Sequence, residues 1–239
     1  MKTVENQISF NSATIVRLLI AIALLLLLAS SGGQFLRFSF GEDNIFLRKL
    51  ILLFHFDHEG NIPTYFSVLL LLLAAVLLAL IAELNRKHMR PHASKWATLS
   101  WGFLYIAFDE AFQIHEKLIW PFQRLIGEDN LGIFYFAWVI PAVFIVSVLG
   151  LFFLKFLLYL SLAERRRFLI AAALYLGGAL GMELIGGRHV ELYGEENWGY
   201  SMITTIEESL EISGLIFFIW ALLKYCEEHY PIVQLHFKT

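Results

Sequence analysis

Three short stretches gather most of the residues able to do chemistry. "FDEAFQIHEK" (108–117) holds Asp109, Glu110, His115 and Glu116. "GMELIGGRH" (181–189) holds Glu183 and His189, and "TIEESLEIS" (205–213) holds Glu207, Glu208 and Glu211. A fourth stretch, "HFDHE" (55–59), is dense in the same types: His55, Asp57, His58 and Glu59. Carboxylates mixed with imidazoles are the ligand chemistry of iron, manganese and zinc. The expected ligands are Glu110, His115, Glu183, His189, Glu208 and Glu211, with Asp109, Glu116, Glu207, Asp57 and His58 as further candidates. No catalytic residue can be named from spacing alone, and no organic cofactor is implied.

Helical spacing supports a shared site. Glu207 and Glu211 are i and i+4, and Glu208 and Glu211 are i and i+3, so all three fit one broad helix face with Thr204 a turn away. On one continuous helix, Asp109, Gln113 and Glu116 would also share a face. Gly177 and Gly181 form a GxxxG pair that invites a close helix crossing. Gly186–Gly187 is expected to loosen the helix near His189.

The elements that position these residues are set by composition. Of 239 residues, 58% are hydrophobic and 16% charged, and the mean hydropathy is +0.65. Soluble domains are nearer half apolar and a quarter charged, so the chain reads as an all-α integral membrane protein. A net charge of −3 with no basic stripe gives no reason to expect a nucleic-acid partner. The single cysteine, Cys226, excludes an intramolecular disulfide.

Six apolar spans are expected, at about 14–30, 63–83, 95–114, 133–160, 168–187 and 203–224, forming one polytopic domain over residues 1–239. The outer loop 31–62 contains "FLRKLILLFHF", whose basic residues and apolar stripe suggest an interfacial helix. The first span has some marks of a signal peptide but is too long for one, and is expected to stay uncleaved.

Lys and Arg orient the bundle. With the N-terminus inside, Lys2, Arg17, Arg86, Lys87, Arg90, Lys95, Lys155, Arg165, Arg166, Arg167, Lys224 and Lys238 fall inside. Arg37, Arg48, Lys49, Lys117, Arg124 and Arg188 fall outside. Both termini are therefore expected in the cytoplasm, with the bacterial inner (cytoplasmic) membrane as the location.

On this topology every acid of the four stretches lies on the outer side. Three spans are clean of charge only over Trp96–Phe108, Phe168–Met182 and Ile212–Leu223. Each is shorter than the roughly 20 residues a crossing needs. Each is completed only by drawing its acids into the outer bilayer, where they must face the bundle interior or a wet cavity. Like charges and burial both oppose ionisation there. Arg188 and Lys117, the nearest cations, are too few to balance the acids.

Three functional classes follow. A divalent metal could neutralise the acids and serve an enzyme acting on a lipid or lipid-soluble substrate by oxidation or metal-assisted hydrolysis. Protons could neutralise them in a proton-linked transport component. Alternatively, the acids line a solvated vestibule of an accessory or assembly subunit, which would have a membrane-protein partner or a second copy of itself. The inward Glu-x-x-His motif of di-iron helix bundles is absent from the spans. His88, His92, His229 and His236 read as surface charge, Lys155 as a snorkelling side chain, and Pro141 as a kink in the fourth span.

Overall fold

The computed structural model describes residues 11–41, 44–127 and 131–230. Lys2, His236 and Lys238 lie outside them. Every regular element among the described residues is helical. In chain order they are α1 (Ser12–Phe40), α2 (Ile45–Phe54), α3 (Ile62–Lys87), α4 (Ala93–Phe112) and α5 (Glu116–Ile126). A 3₁₀ turn (Gly132–Phe134) precedes α6 (Val139–Tyr159). Then come α7 (Leu162–Leu176), a π-helical turn (Gly177–Met182), α8 (Glu183–Tyr193) and α9 (Trp198–His229).

Local sequence explains the boundaries. Asn11, Asn44, Asn61 and Asn197 each accept a backbone N–H in the first turn of the helix that follows. Ser161 and Glu164 form a reciprocal capping box at the start of α7. Pro141 sits in the first turn of α6, where its missing N–H costs no intrahelical bond, so it starts a helix and does not kink one.

Four helical segments are long and apolar enough to cross a membrane: α1, α3, α6 and the continuous rod from Leu162 to Tyr193. α3 is the central one, with half of its apolar window buried, against 11% for α1 and 17% each for α6 and the rod. Its Leu70, Leu71, Leu78 and Ile81 pack into one core with Ile212, Leu215, Ile219 and Leu222 of α9. At the end rich in Lys and Arg, Trp96 stands edge-on to Phe156 and Phe168 and tilts against Tyr225. Leu18, Leu25, Leu28, Phe144, Leu151 and Leu158 instead point outward from α1 and α6. An apolar surface this extensive is not sustained in water.

The segment expected to lie at the interface forms a helix, α2, held against α1 by Ile51 packing on Gly33. α5 was not expected as a helix. The chain leaves α4 at Gln113, whose backbone is left-handed (φ +55°), and starts again at Glu116. Asp109, Gln113 and Glu116 therefore do not share one helical face.

The close crossing on the Leu162–Tyr193 rod is one residue away from the expected glycines. Gly177 and Gly181 have open space at their Cβ positions. A Cβ on Gly178 would lie 2.7 Å from both the Glu207 carbonyl oxygen and Glu211 Cγ, and one on Gly214 would lie 2.6 Å from the Tyr175 nitrogen. The π turn inserts an extra residue per turn and rotates the glycine face. Gly186 and Gly187 do not loosen the helix: they are buried against Tyr200, Ile203, Tyr135 and Phe136 inside an unbroken α8. Gly178→Ala is therefore expected to cost about 1–3 kcal/mol through overpacking. Gly177→Ala should be neutral or raise stability by up to about 1 kcal/mol through helix propensity. Thermal unfolding in detergent checks the pair, and equal effects would sink this packing register.

Candidate functional site

The acidic ends of α4, α7–α8 and α9 close around a cavity of about 250 Å³. Its wall carries Asp57, Glu59, Asp109, Glu110, Glu116, Glu183, Glu207, Glu208 and Glu211, with His115 as the one imidazole. Among the described residues, no Lys or Arg lines it. Ile106, Ala142, Val146, Leu176 and Leu180 supply an apolar lower wall.

Each side chain is placed by a local device. The left-handed break at Gln113 folds the chain back, so that the His115 N–H donates to Asp109 Oδ1 and its Nδ1 lies 2.9 Å from Asp109 Oδ2. His115 Nε2 then faces Glu59 at 3.6 Å. Glu59 belongs to a loop pinned at two points. Phe56 N–H donates to Ser30 Oγ on α1 at 3.1 Å, and Asn61 Nδ2 donates to the His55 carbonyl at 2.6 Å. Gly60, at φ +74°, makes the turn into α3 that this loop needs.

Glu183 is the first residue after the π turn. Trp138 Nε1 donates to its carboxyl at 2.7 Å, while the Trp138 ring lies 4.8 Å from the His115 ring. Trp138 thus bridges the α4 and α8 walls. The carboxyl groups of Glu183 and Glu207 are within hydrogen-bonding reach of each other, a contact that needs a shared proton or an intervening cation. Tyr200 and Asp57 both line the cavity.

The sequence-predicted residues divide cleanly. The cavity brings together Glu110, His115, Glu183, Glu208 and Glu211, and with them Asp109, Glu116, Glu207 and Asp57. His189 and His58 are not among its lining residues. His189 Nε2 instead pairs with Asn197 Oδ1 at 2.8 Å, and Asn197 is the residue that caps α9. Both nearby cations are engaged elsewhere. Arg188 pairs with Glu191 at 2.8 Å, and Lys117 donates to the Phe112 carbonyl at the end of α4. Glu59, from the ligand-rich "HFDHE" stretch, joins the wall, and so do Trp138, Tyr175 and Tyr200, which were not singled out as site residues. Among the described residues, no three His, Cys, Asp or Glu side chains converge as a ready set of metal ligands.

Residues 17–226 match the family described as Domain of unknown function (DUF8692). The chain belongs to that family. No curated protein and no solved structure matches it.

The loop groups at the mouth respond to the cavity's charge. Burial first, then the negative charge of Glu116, lift the Glu59 carboxyl from 4.5 to about 8, against the positive charge of His115. Burial disfavours the His115 imidazolium, but the bond to Asp109 and the charges of Asp109, Glu59 and Glu110 outweigh it and push it from 6.5 to about 9. Both shifts run the same way. The folded chain keeps protons that the unfolded chain has released, so stability falls as pH rises. The loss runs from 4.5 to about 8 for Glu59 and from 6.5 to about 9 for His115. In chelator-treated detergent solution, Tm should drop between pH 6.5 and 9 by roughly 2–4 °C per kcal/mol lost. His115→Gln should flatten the upper part of that profile. A pH-independent Tm in the unsubstituted protein would contradict the retention of these protons by the fold.

Proposed function

We propose that this chain is an integral membrane protein of six spans, with both termini cytoplasmic, and that its acidic cavity faces the outer side. On this reading α4 and α9 are the two further spans, completed by the acids at their outer ends. The cavity takes up a divalent cation (iron, manganese or zinc) as the centre of an enzyme acting on a lipid or lipid-soluble substrate. One observation carries the reading: among the described residues, nine carboxyls and one imidazole line a single space with no Lys or Arg among them. Such a wall is held together only by positive charge brought from outside.

The donor set suits these ions, since carboxylate oxygen with imidazole nitrogen is the common chemistry of non-haem iron, manganese and zinc sites. Glu110, Glu183, Glu208, Glu211 and His115 are the residues that would hold the ion. Convergence on one ion requires these side chains to leave their present rotamers, since among the described residues no three of them already meet as ligands. When bound, the ion would supply Lewis-acid activation or a redox centre. His115 is oriented for this by Asp109, as carboxylates orient metal-bound imidazoles.

A second reading is favoured by the Glu183–Glu207 contact, which a shared proton satisfies with no metal at all. It makes the protein a proton-linked transport component. A structural role, as an accessory subunit bound to another membrane protein or to a second copy, would instead require neither cation nor flux.

Metal analysis by plasma mass spectrometry on the detergent-purified chain separates these readings. About one or two ions per chain are expected. Both Glu208→Ala and Glu211→Ala should remove them. A folded, metal-free protein prepared without chelator would overturn the enzyme reading. In that case, pH-driven flux in liposomes that is lost in Glu207→Gln would establish the proton reading. Absence of flux together with a co-purifying protein would leave the accessory role.

A further inference from the structure

α4 and α6 flank the acidic cavity and touch each other at two levels. At the end rich in Lys and Arg, Lys95 Nζ lies 3.1 Å from the centre of the Phe152 ring and donates to the Phe152 carbonyl at 3.3 Å. At the acidic end, the Trp138 ring, just before α6, lies 4.8 Å from the His115 ring, just past α4. Between these levels the seam is open. Residues seven apart return to nearly the same helical face. Gly102 therefore shares the face of Lys95, yet it is exposed and a Cβ on it would meet nothing within 4 Å. Ile145 and Leu149 share the face of Phe152, yet they stay 54% and 44% exposed. Two helices packed along the whole seam would bury these positions. From Trp138 to Phe152 the helix rises about 21 Å, which sets the height of the opening.

The opening belongs to the cavity itself, so no second chamber has to be joined to it. Ile106 of α4 and Val146 of α6 line the same space as the acids, and both are only half-buried. Ile106 follows Gly102 by one turn and precedes Glu110 by one turn. Along α4 the wall thus passes from hydrocarbon to carboxylate within about 6 Å.

We propose that the seam between α4 and α6 is a lateral door through which a single-chain lipid with an oxygen head enters the cavity from the bilayer. This rests on the six-span, cation-binding reading and names the substrate class of that centre and its route. The walls define the class. No charged residue occurs on α4 between Lys95 and Asp109, or on α6 before Lys155, so the door suits a hydrocarbon chain. The space behind it is about 250 Å³, below the roughly 300–1,000 Å³ of pockets that enclose a whole drug-sized ligand. It takes a head and the first part of one chain, while the rest of the chain stays in the door. A two-chain phospholipid does not fit. An oxygen head, a hydroxyl or a carbonyl, is the class that completes a carboxylate and imidazole site around iron, manganese or zinc.

The test uses the full chain in nanodiscs of a neutral phospholipid. The probe is a long-chain primary alcohol with a photoactivatable diazirine at mid-chain. The control is the alkane of the same length with the same label. After photolysis, the alcohol should label residues 102–106 of α4 and 142–149 of α6 about tenfold above the alkane. Gly102→Trp and Leu149→Trp fill the door, and neither residue lines the cavity. Each should cut labelling of the opposite helix about tenfold. Leu151→Trp, on the outward side of α6, should leave labelling unchanged. Equal labelling by alcohol and alkane would overturn the proposal, and so would labelling undiminished in both filled variants. The comparison of the two probes on the unsubstituted chain decides the matter even where a variant fails to fold. Metal content read on the same samples keeps the two claims apart. Bound metal without alcohol-selective labelling removes only the door. Selective labelling without metal removes the metal-centred reading and leaves the door.

Discussion

Mutual repulsion among carboxylates at one end of the bundle is the constraint to which the rest of the structure answers. Two unit charges 4 Å apart interact by about 4 kcal/mol at an effective dielectric of 20. A whole domain is stable by about 5–15 kcal/mol. A few unscreened pairs among nine lining carboxyls would therefore exceed everything that folding supplies. The arrangement persists only with its charge compensated. Hydrophobic packing at the other end, centred on Trp96, Phe156 and Tyr225, supplies a frame that the acidic end cannot supply for itself.

Three departures from the regular helix fall beside the cavity. The π turn before Glu183, the left-handed break after Phe112 and the turn at Gly60 all deliver a lining residue. Backbone that departs from the α-helix is tolerated at membrane depth only where protein or a polar space receives its freed groups. The chain also fixes the distance across the cavity. Gly178 lets α9 approach through the Glu207 carbonyl, so the acids of α9 are carried by a contact between backbones and not by flexible side chains.

Much of this was legible in the sequence because helical periodicity is a strong signal. The i, i+3, i+4 spacing of Glu207, Glu208 and Glu211 implied a shared face, and the shortened apolar runs of three segments implied that their acids belong together. What was not legible depended on single backbone angles and long-range partners. Nothing in "FQIHEK" announces a left-handed Gln113, yet that residue decides that His115 folds onto Asp109. His189 resembled a ligand by type. It is instead taken up by Asn197, eight residues on, whose capping role becomes visible only once α9 has its boundary. The GxxxG spacing assumed an ideal α-helix, and the π turn moved the contact from Gly177 and Gly181 to Gly178. Trp138 gives no signal of its own either, since an indole at the end of an apolar run usually marks the membrane interface.

Acids elsewhere in the same chain show that the imbalance at the cavity is local. Glu164 is buried at the opposite end and is fully provided for. Ser161 N–H donates to it, and His229 Nε2 approaches it at 2.5 Å. The tautomer of that histidine is fixed by its other neighbour. Arg90 Nη1 lies 3.0 Å from His229 Nδ1, and a guanidinium can only donate. Nδ1 therefore accepts, and Nε2 carries the proton that points at Glu164. His229 is thus part of a built network and not simple surface charge. Glu228 is held by Arg167, Glu191 by Arg188 and Glu83 by Arg86. This sequence pairs acids with cations wherever the pairing is structural. In the cavity it provides one imidazole against nine carboxyls and turns its two nearest cations elsewhere. A deficit so confined leaves the acids of this one wall to be neutralised by their own protons or by a cation from solution.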